Sequence, residues 1–307
     1  MDLQGRDIIS IRDFTKAELD HMLSVADQME PLARRGSDML KGKIMATLFF
    51  EPSTRTKLSF ESAMYRLGGT NIGFAEPDAT SVQKGENLSD TVRVVESYAD
   101  VLVVRHPLEG ASRLASEFAR IPVINAGSGS EEHPTQAILD VYTMKRECNS
   151  IDGLKVAMIG DLRYGRTVHS LAYALSLYSN VKLFLVSPDL LRMRGEVLED
   201  IGRSVEVEEA RDLKKVLNEV DVIYMTRIQK ERFADPAEYE AVRGSYRLTQ
   251  ADLEGAKKNA IVMHPLPRVD EVDADVDNTP HARYFQQVWY GLLVRMGLLA
   301  LVLGATK

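Results

Sequence analysis

The strongest constraint on the fold is an alternation that recurs along the chain: short apolar runs of strand length, each followed by a segment with helical spacing. Residues 43–50 form the first such run. Phe60, Met64 and Leu67 follow at helical spacing, and Gly68-Gly69 closes that helix. Strands are expected at 101–104 and 122–125, with helices at 112–120 and 135–147. A second series of strands opens at 155–159 and continues at 182–186, 220–225 and 260–263. Strands this apolar are buried on both faces, and helices alternating with them predict mainly parallel sheets in an α/β chain. Ahead of the first strand, Leu19, Met22, Leu23 and Ala26 mark an amphipathic helix, with Thr15 and Glu18 as its capping box.

The 307 residues suffice for two domains, each with its own core. The composition turns polar at 149–153, just before the second series. The expected fold is therefore two doubly wound α/β domains joined by long helices, including a C-terminal one over about 283–303. The apolar stretch 292–303 is interrupted by Arg295 and falls short of the ~20 residues that span a bilayer, so it reads as a buried helix. Met1-Asp2-Leu3-Gln4-Gly5 lacks the basic start and apolar run of a signal peptide.

With 38 basic and 45 acidic residues, the net charge of -7 gives no general reason to bind nucleic acid or an anionic membrane. Neither partner is expected, and any anion site must be local. Hydrophobic content of 45% and charged content of 27% exclude disorder and fibrous repeats. Cys148 is the single cysteine, which rules out an intrachain disulfide framework and suits a reducing, cytoplasmic compartment.

Candidate chemistry clusters just after the predicted strands. Ser53-Thr54-Arg55-Thr56 opens the helix after the first strand. Unpaired N–H groups and the helix dipole favour an anion there, and three hydroxyls with a guanidinium suit a phosphate. Taken alone, Ser53 is as readily a simple helix cap. The donor-rich loop Thr80-Ser81-Val82-Gln83-Lys84-Gly85-Glu86 precedes a helix that Asn87 and Asp90 would start. By itself Lys84 reads as a solvated loop lysine. Arg105-His106-Pro107 and Glu132-His133-Pro134-Thr135-Gln136 also follow strands, where open parallel sheets bind ligands.

The second series repeats this placement. Asp161 to Arg166 follow its first strand, Thr226-Arg227-Ile228-Gln229 a later one, and His264-Pro265-Leu266-Pro267-Arg268 the last. Arginines at strand ends suit carboxylates, because a planar fork binds two oxygens at once, although surface ion pairs are an equal alternative for any one of them. A dinucleotide site would need glycine where Leu162 stands, and no strand is followed by a Walker loop. Zinc-ligand spacing and a Gly-x-Ser-x-Gly turn are also lacking, so no cofactor and no metal are expected.

Together these segments resemble the transcarbamoylase family, and the resemblance runs along essentially the whole chain. Besides the segments above it includes Tyr164-Gly165-Arg166-Thr167-Val168-His169-Ser170, Thr226 through Arg232 and His264 through Glu271. The resemblance implies transfer of the carbamoyl group of carbamoyl phosphate to L-aspartate, in pyrimidine biosynthesis. A carbamoyl phosphate domain would span 1–134 plus about 290–307, and an aspartate domain about 135–289. The phosphate would rest on Ser53, Thr54, Arg55 and Thr56 near Arg105, with Ser81 and Lys84 supplied by the neighbouring subunit of a homotrimer. Thr56, Arg105 and His133 would contact the carbonyl oxygen. Gln136 and the backbone carbonyls of Pro265 and Leu266 would hold the carbamoyl amino group. Arg166, Arg227, Gln229 and Lys84 would hold aspartate. Regulatory chains in a larger assembly are left open.

Ornithine-specific relatives share the carbamoyl phosphate motifs but typically carry a cysteine in the motif where this chain has Pro265, and they lack the Lys84 loop. Two arginines and a lysine would repel a cationic acceptor. A catalytically silent scaffold would be expected to lose site residues, and none is missing. One departure is the loop Ser81-Val82-Gln83-Lys84, where many relatives carry an additional residue or a second lysine; this bears on the reach of the loop.

Overall fold

The computed structural model describes residues 2–75, 81–233 and 235–306, without the side chains of residues 81, 82 and 231. Thr80 of the donor-rich loop lies outside the described residues, as does the side chain of Ser81. The chain divides into two units, Met1–Leu139 with Trp289–Lys307, and Asp140–Val288.

The first unit contains α1 (Lys16–Arg35), β1 (Ile44–Phe49), α2 (Thr54–Arg66), β2 (Thr70–Phe74), α3 (Leu88–Val95), β3 (Val101–His106), α4 (Ala111–Phe118) and β4 (Val123–Ser128). It also takes the start of α5 (Pro134–Cys148) and the end of α9 (Tyr284–Val302). Its sheet runs β2-β1-β3-β4, with every pairing parallel. Ala46, Leu48, Leu102, Val104 and Val123 pack on one face with Val92 of α3 and Ala115 of α4. Met45, Phe49, Val101 and Val103 alternate with them and are equally buried, which is why these strands read as continuous apolar runs.

The capping box of α1 forms as expected, with Thr15 accepting from the Glu18 N–H and Glu18 accepting from the Thr15 N–H. Phe60, Ala63 and Met64 seat α2, and a fully buried phenylalanine or methionine contributes on the order of 1.5–3 kcal/mol. At α9, Gly297 approaches α1 so closely that a Cβ would lie 3.3 Å from the Ala26 nitrogen. That helix is long and apolar enough to cross a bilayer, but most of it is buried in the protein.

The second unit holds the rest of α5, then β5 (Lys155–Ile159), α6 (Arg166–Leu175), β6 (Lys182–Val186), α7 (Gly195–Ile201), β7 (Glu206–Ala210), β8 (Val222–Met225), α8 (Pro236–Val242), β9 (Ile261–Met263) and the start of α9. Its parallel sheet runs β7-β6-β5-β8-β9. Ala157, Ile159, Ile223 and Val262 share one core with Val216, Leu217 and Tyr284.

Both sheets wind outward from an inner strand and then reverse. In the first the chain goes from β1 to the edge strand β2 and returns to β3; in the second it goes from β5 through β6 and β7 and returns to β8. At such a reversal the neighbouring crossovers diverge and leave open the carboxyl ends of β1 and β3, and of β5 and β8.

Candidate active site

At the first reversal, α2 begins directly beyond β1. Ser53 takes the N-cap position with extended backbone but makes no side-chain cap hydrogen bond, and the first turn of α2 carries no acidic residue. Among the described residues the hydroxyls of Ser53, Thr54 and Thr56 make no hydrogen bond at all. The simple-cap alternative therefore fails for Ser53. Three hydroxyls and the first N–H groups of a helix are available to an anion. Arg55 is exposed and Thr56 buried.

Parallel pairing places the end of β3 beside this helix start, with Phe49 in register with Arg105 and the Phe50 N–H donating to the Arg105 carbonyl at 2.8 Å. The Arg105 side chain is largely buried, donates to the Ala126 carbonyl at 3.2 Å and lies 3.4 Å from Glu51 Oε1. A fixed guanidinium beside a helix N-terminus makes this corner strongly attractive to a phosphate.

The next strand delivers His133 and Gln136, both buried at the start of α5. Their approach loop is tied down from several sides. Asn125 Oδ1 accepts from the Gly127 N–H and the hydroxyls of Ser112 and Ser128, while its amide donates to the Ile9 carbonyl. Ser10 donates to Glu132 at 2.7 Å. Lys84 is not part of this gathering: it is exposed at the end of the 3-10 turn Ser81–Lys84 and makes no ion pair or hydrogen bond among the described residues. Immediately after it, Thr91 donates to Glu86 at 2.7 Å and Asn87 caps α3, so the loop is anchored from its far end.

In the second unit the carboxyl ends of β5, β8 and β9 are neighbours and lead to the other predicted segments. Gly160 has φ 115, and a Cβ there would lie 2.3 Å from the Thr226 carbonyl oxygen. A Cβ on Gly165 would lie 2.4 Å from the Asp161 carbonyl oxygen. These glycines permit close backbone approach rather than dinucleotide binding. The buried Asp161 carboxylate accepts from the N–H groups of Arg163 and Tyr164, and the Asp161 N–H donates to Thr226 Oγ1 at 3.2 Å. Burial pushes its pKa up, and these N–H donors only partly offset the shift. Asp161 thereby ties the loop after β5 to the one after β8. Arg166 is buried at the start of α6, and Arg227 and Gln229 are half-buried beyond β8.

Residues that the sequence reading named only within a motif, without a role of their own, organise the loop after β9. His264 Nε2 lies 2.6 Å from Glu271 Oε1, while His264 Nδ1 accepts from the Leu266 N–H at 2.7 Å. Because Nδ1 accepts, the ring proton sits on Nε2 and points at the carboxylate. Glu271 Oε2 accepts from the N–H groups of Val269 and Asp270. Burial pushes Glu271 up, but the hydrogen bonds from His264 and the backbone outweigh it and hold the carboxyl below its ordinary range.

The His264 N–H donates to Gln287, Gln287 donates to Asp140, and Tyr224 donates to the other Asp140 oxygen. The only signal for this network in the sequence is polar residues, Asp140 and Gln287, inside otherwise apolar helical stretches. Among the described residues no group of three histidine, cysteine, aspartate or glutamate side chains could hold a metal ion.

Comparison with known proteins bears on both units. Residues 6–146 match the model of the aspartate/ornithine carbamoyltransferase carbamoyl-P binding domain, and residues 152–302 that of the Asp/Orn binding domain. The aspartate carbamoyltransferase catalytic subunit of Thermococcus onnurineus is 56% identical, with 100% of each chain covered. Among solved structures, the catalytic subunit of M. jannaschii aspartate transcarbamoylase is 53% identical with a TM-score of 0.88, covering 96% of each chain. Trypanosoma cruzi aspartate transcarbamoylase, in complex with carbamoyl phosphate and aspartate, is 42% identical with a TM-score of 0.94, covering 98% of each chain.

Proposed function

The chain belongs to the aspartate/ornithine carbamoyltransferase family, and from that premise we propose that it transfers the carbamoyl group of carbamoyl phosphate to L-aspartate, forming N-carbamoyl-L-aspartate and phosphate for pyrimidine biosynthesis. The observation that carries the reading is the start of α2, where Ser53, Thr54 and Thr56 hold uncommitted hydroxyls around helix N–H groups beside Arg105.

Residues of the first unit would hold the phosphate and the carbonyl oxygen of carbamoyl phosphate, and residues of the second would hold aspartate. The lone pair of the aspartate amine attacks the carbamoyl carbon, and charge builds on the carbonyl oxygen. Thr56, Arg105 and His133 would meet that charge. Fixed donors of this kind are worth more than mobile water because they need no reorganisation during the reaction. The carbon–oxygen bond to phosphate then breaks, and the phosphate takes both the bonding electrons and the amine proton. No protein nucleophile is required. Gln136 and the carbonyls of Pro265 and Leu266 would hold the carbamoyl amino group, while Arg166, Arg227 and Gln229 would grip the two carboxylates of aspartate.

Ser81 and Lys84 would act on the site of a neighbouring copy in a homotrimer. Large apolar side chains exposed in the first unit, Leu58 and Tyr65 on α2, Ile72 on β2, and Val94 and Tyr98 on or just after α3, support an interface there. A cytoplasmic location completes the reading, resting on the single cysteine.

The test is a carbamoyl-transfer assay on the purified protein with L-aspartate and L-ornithine offered separately. Carbamoyl aspartate with equimolar phosphate is the expected product. Turnover with ornithine alone would overturn the acceptor assignment, and no turnover with either would overturn the enzyme.

A further inference from the structure

The loop after β9 is held more firmly than a surface turn needs. Leu266 takes a left-handed conformation with φ 53, unusual for a side chain of its size. A conformation of this kind persists only where its surroundings over-determine it. His264 supplies that constraint at both ends: its own N–H donates to buried Gln287, and its Nδ1 accepts from the Leu266 N–H. The ring is in turn oriented by Glu271, whose second oxygen gathers the N–H groups of Val269 and Asp270. Both side chains are almost fully buried. With these donors engaged, the Pro265 carbonyl receives no hydrogen bond among the described residues.

We infer that His264 and Glu271 are a positioning pair that fixes the backbone carbonyls of Pro265 and Leu266 as acceptors for an N–H-bearing group, and so selects carbamoyl phosphate over acyl phosphates of the same shape. This rests on the carbamoyl-transfer reading above and adds the device that sets donor specificity. The pair touches no reacting atom. An amide nitrogen donates to a carbonyl, whereas a methyl group in the same place leaves the carbonyl desolvated without a partner.

The experiment compares dissociation constants of carbamoyl phosphate, acetyl phosphate and inorganic phosphate for the full chain and its variants by calorimetry. Acetyl phosphate carries a methyl group where carbamoyl phosphate carries its amino group. Glu271→Gln keeps the side-chain volume but presents an amide where Val269 and Asp270 donate. It should weaken carbamoyl phosphate about tenfold and leave the other two ligands within about twofold. His264→Asn is the second variant: its side-chain oxygen still accepts from the N–H two residues on, so it should retain more of the preference than His264→Leu.

Equal weakening of carbamoyl and acetyl phosphate, or an undiminished preference in folded variants, overturns the inference. Failure of the unaltered protein to bind carbamoyl phosphate is a different result, seen before any variant is made, and it sinks the transfer reading together with the inference. Thermal melts confirm which variants are folded.

Discussion

Tyr224 donates its hydroxyl to Asp140 across 2.6 Å, and both side chains are completely buried. Burial and the adjacent carboxylate hold the tyrosine well above its ordinary pKa. Gln287 donates to the other carboxylate oxygen. Tyr224→Phe removes one of these donors and leaves a buried carboxylate oxygen underserved. A loss of about 1–3 kcal/mol in unfolding free energy is expected, because the buried oxygen keeps its desolvation cost without its bond. Chemical denaturation measures it, and an unchanged midpoint would show that the bond contributes nothing.

Arg105→Ala should lower kcat by roughly 10²–10³-fold, the usual cost of removing a fixed donor from developing charge. Arg166→Ala should instead raise the KM for aspartate well beyond that for carbamoyl phosphate. Steady-state kinetics with each substrate varied separates the two. A pure rise in the carbamoyl phosphate KM of Arg105→Ala, with kcat intact, would remove Arg105 from the charge-stabilising role.

Lys84 is exposed and without partners among the described residues, which is the expected condition of a group that acts on another copy. Lys84→Gln and Arg55→Ala should each be nearly inactive alone. Mixed and reassembled, they should recover measurable turnover, since some sites would then receive both native groups. Recovery that never rises above the two separate variants excludes shared sites.

Asp277 links pH to stability. Hydrogen bonds from Arg268 hold its carboxyl below the ordinary aspartate value of 3.8, and Tyr284 adds a further donor. Because the folded value is the lower one, the unfolded chain takes up the proton first as pH falls. The contribution is therefore complete above pH 3.8 and disappears as pH drops through the folded value. Asp277→Asn should cost about 1 kcal/mol at pH 7, a modest figure because the pair is partly exposed, and progressively less as pH falls below 3.8. Unfolding curves above and below that pH test the sign.

Gly160→Ala should destabilise the second unit by several kcal/mol, because a left-handed backbone and a 2.3 Å approach to the Thr226 carbonyl oppose the same added carbon. Gly153→Ala has a positive φ but open space and should cost less. Melting temperatures of the two variants make the comparison.

The inner strands were legible because neighbours such as Leu48 and Phe49, or Met158 and Ile159, point to opposite faces and are all apolar and buried. The edge strands β2 and β7 were not. Thr70, Ile72 and Gly73 are exposed on one, Glu206, Glu208 and Glu209 on the other, and neither offers an apolar run. Lys182 pairs with Glu206 and Glu208, so charge rather than burial accompanies that edge. In the site, Ser53, Arg105 and Arg166 could be found because their positions after strands already had chemical meaning. His264 was visible only as part of a motif. Its role depends on Glu271, seven residues on, and on Gln287 in a later helix, and local spacing reports no such partnership.

The first unit is built from two separated stretches of chain, whereas the second is a single uninterrupted stretch, 140–288. During synthesis, every strand of the second sheet is polymerised before the last stretch of the first unit. Arg295 donates to Ser59 of α2, and Val302 accepts from Gly5, so the second stretch of the first unit supports elements made long before it. The second sheet can therefore form from one run of chain, whereas the first unit needs residues from both sides of that run.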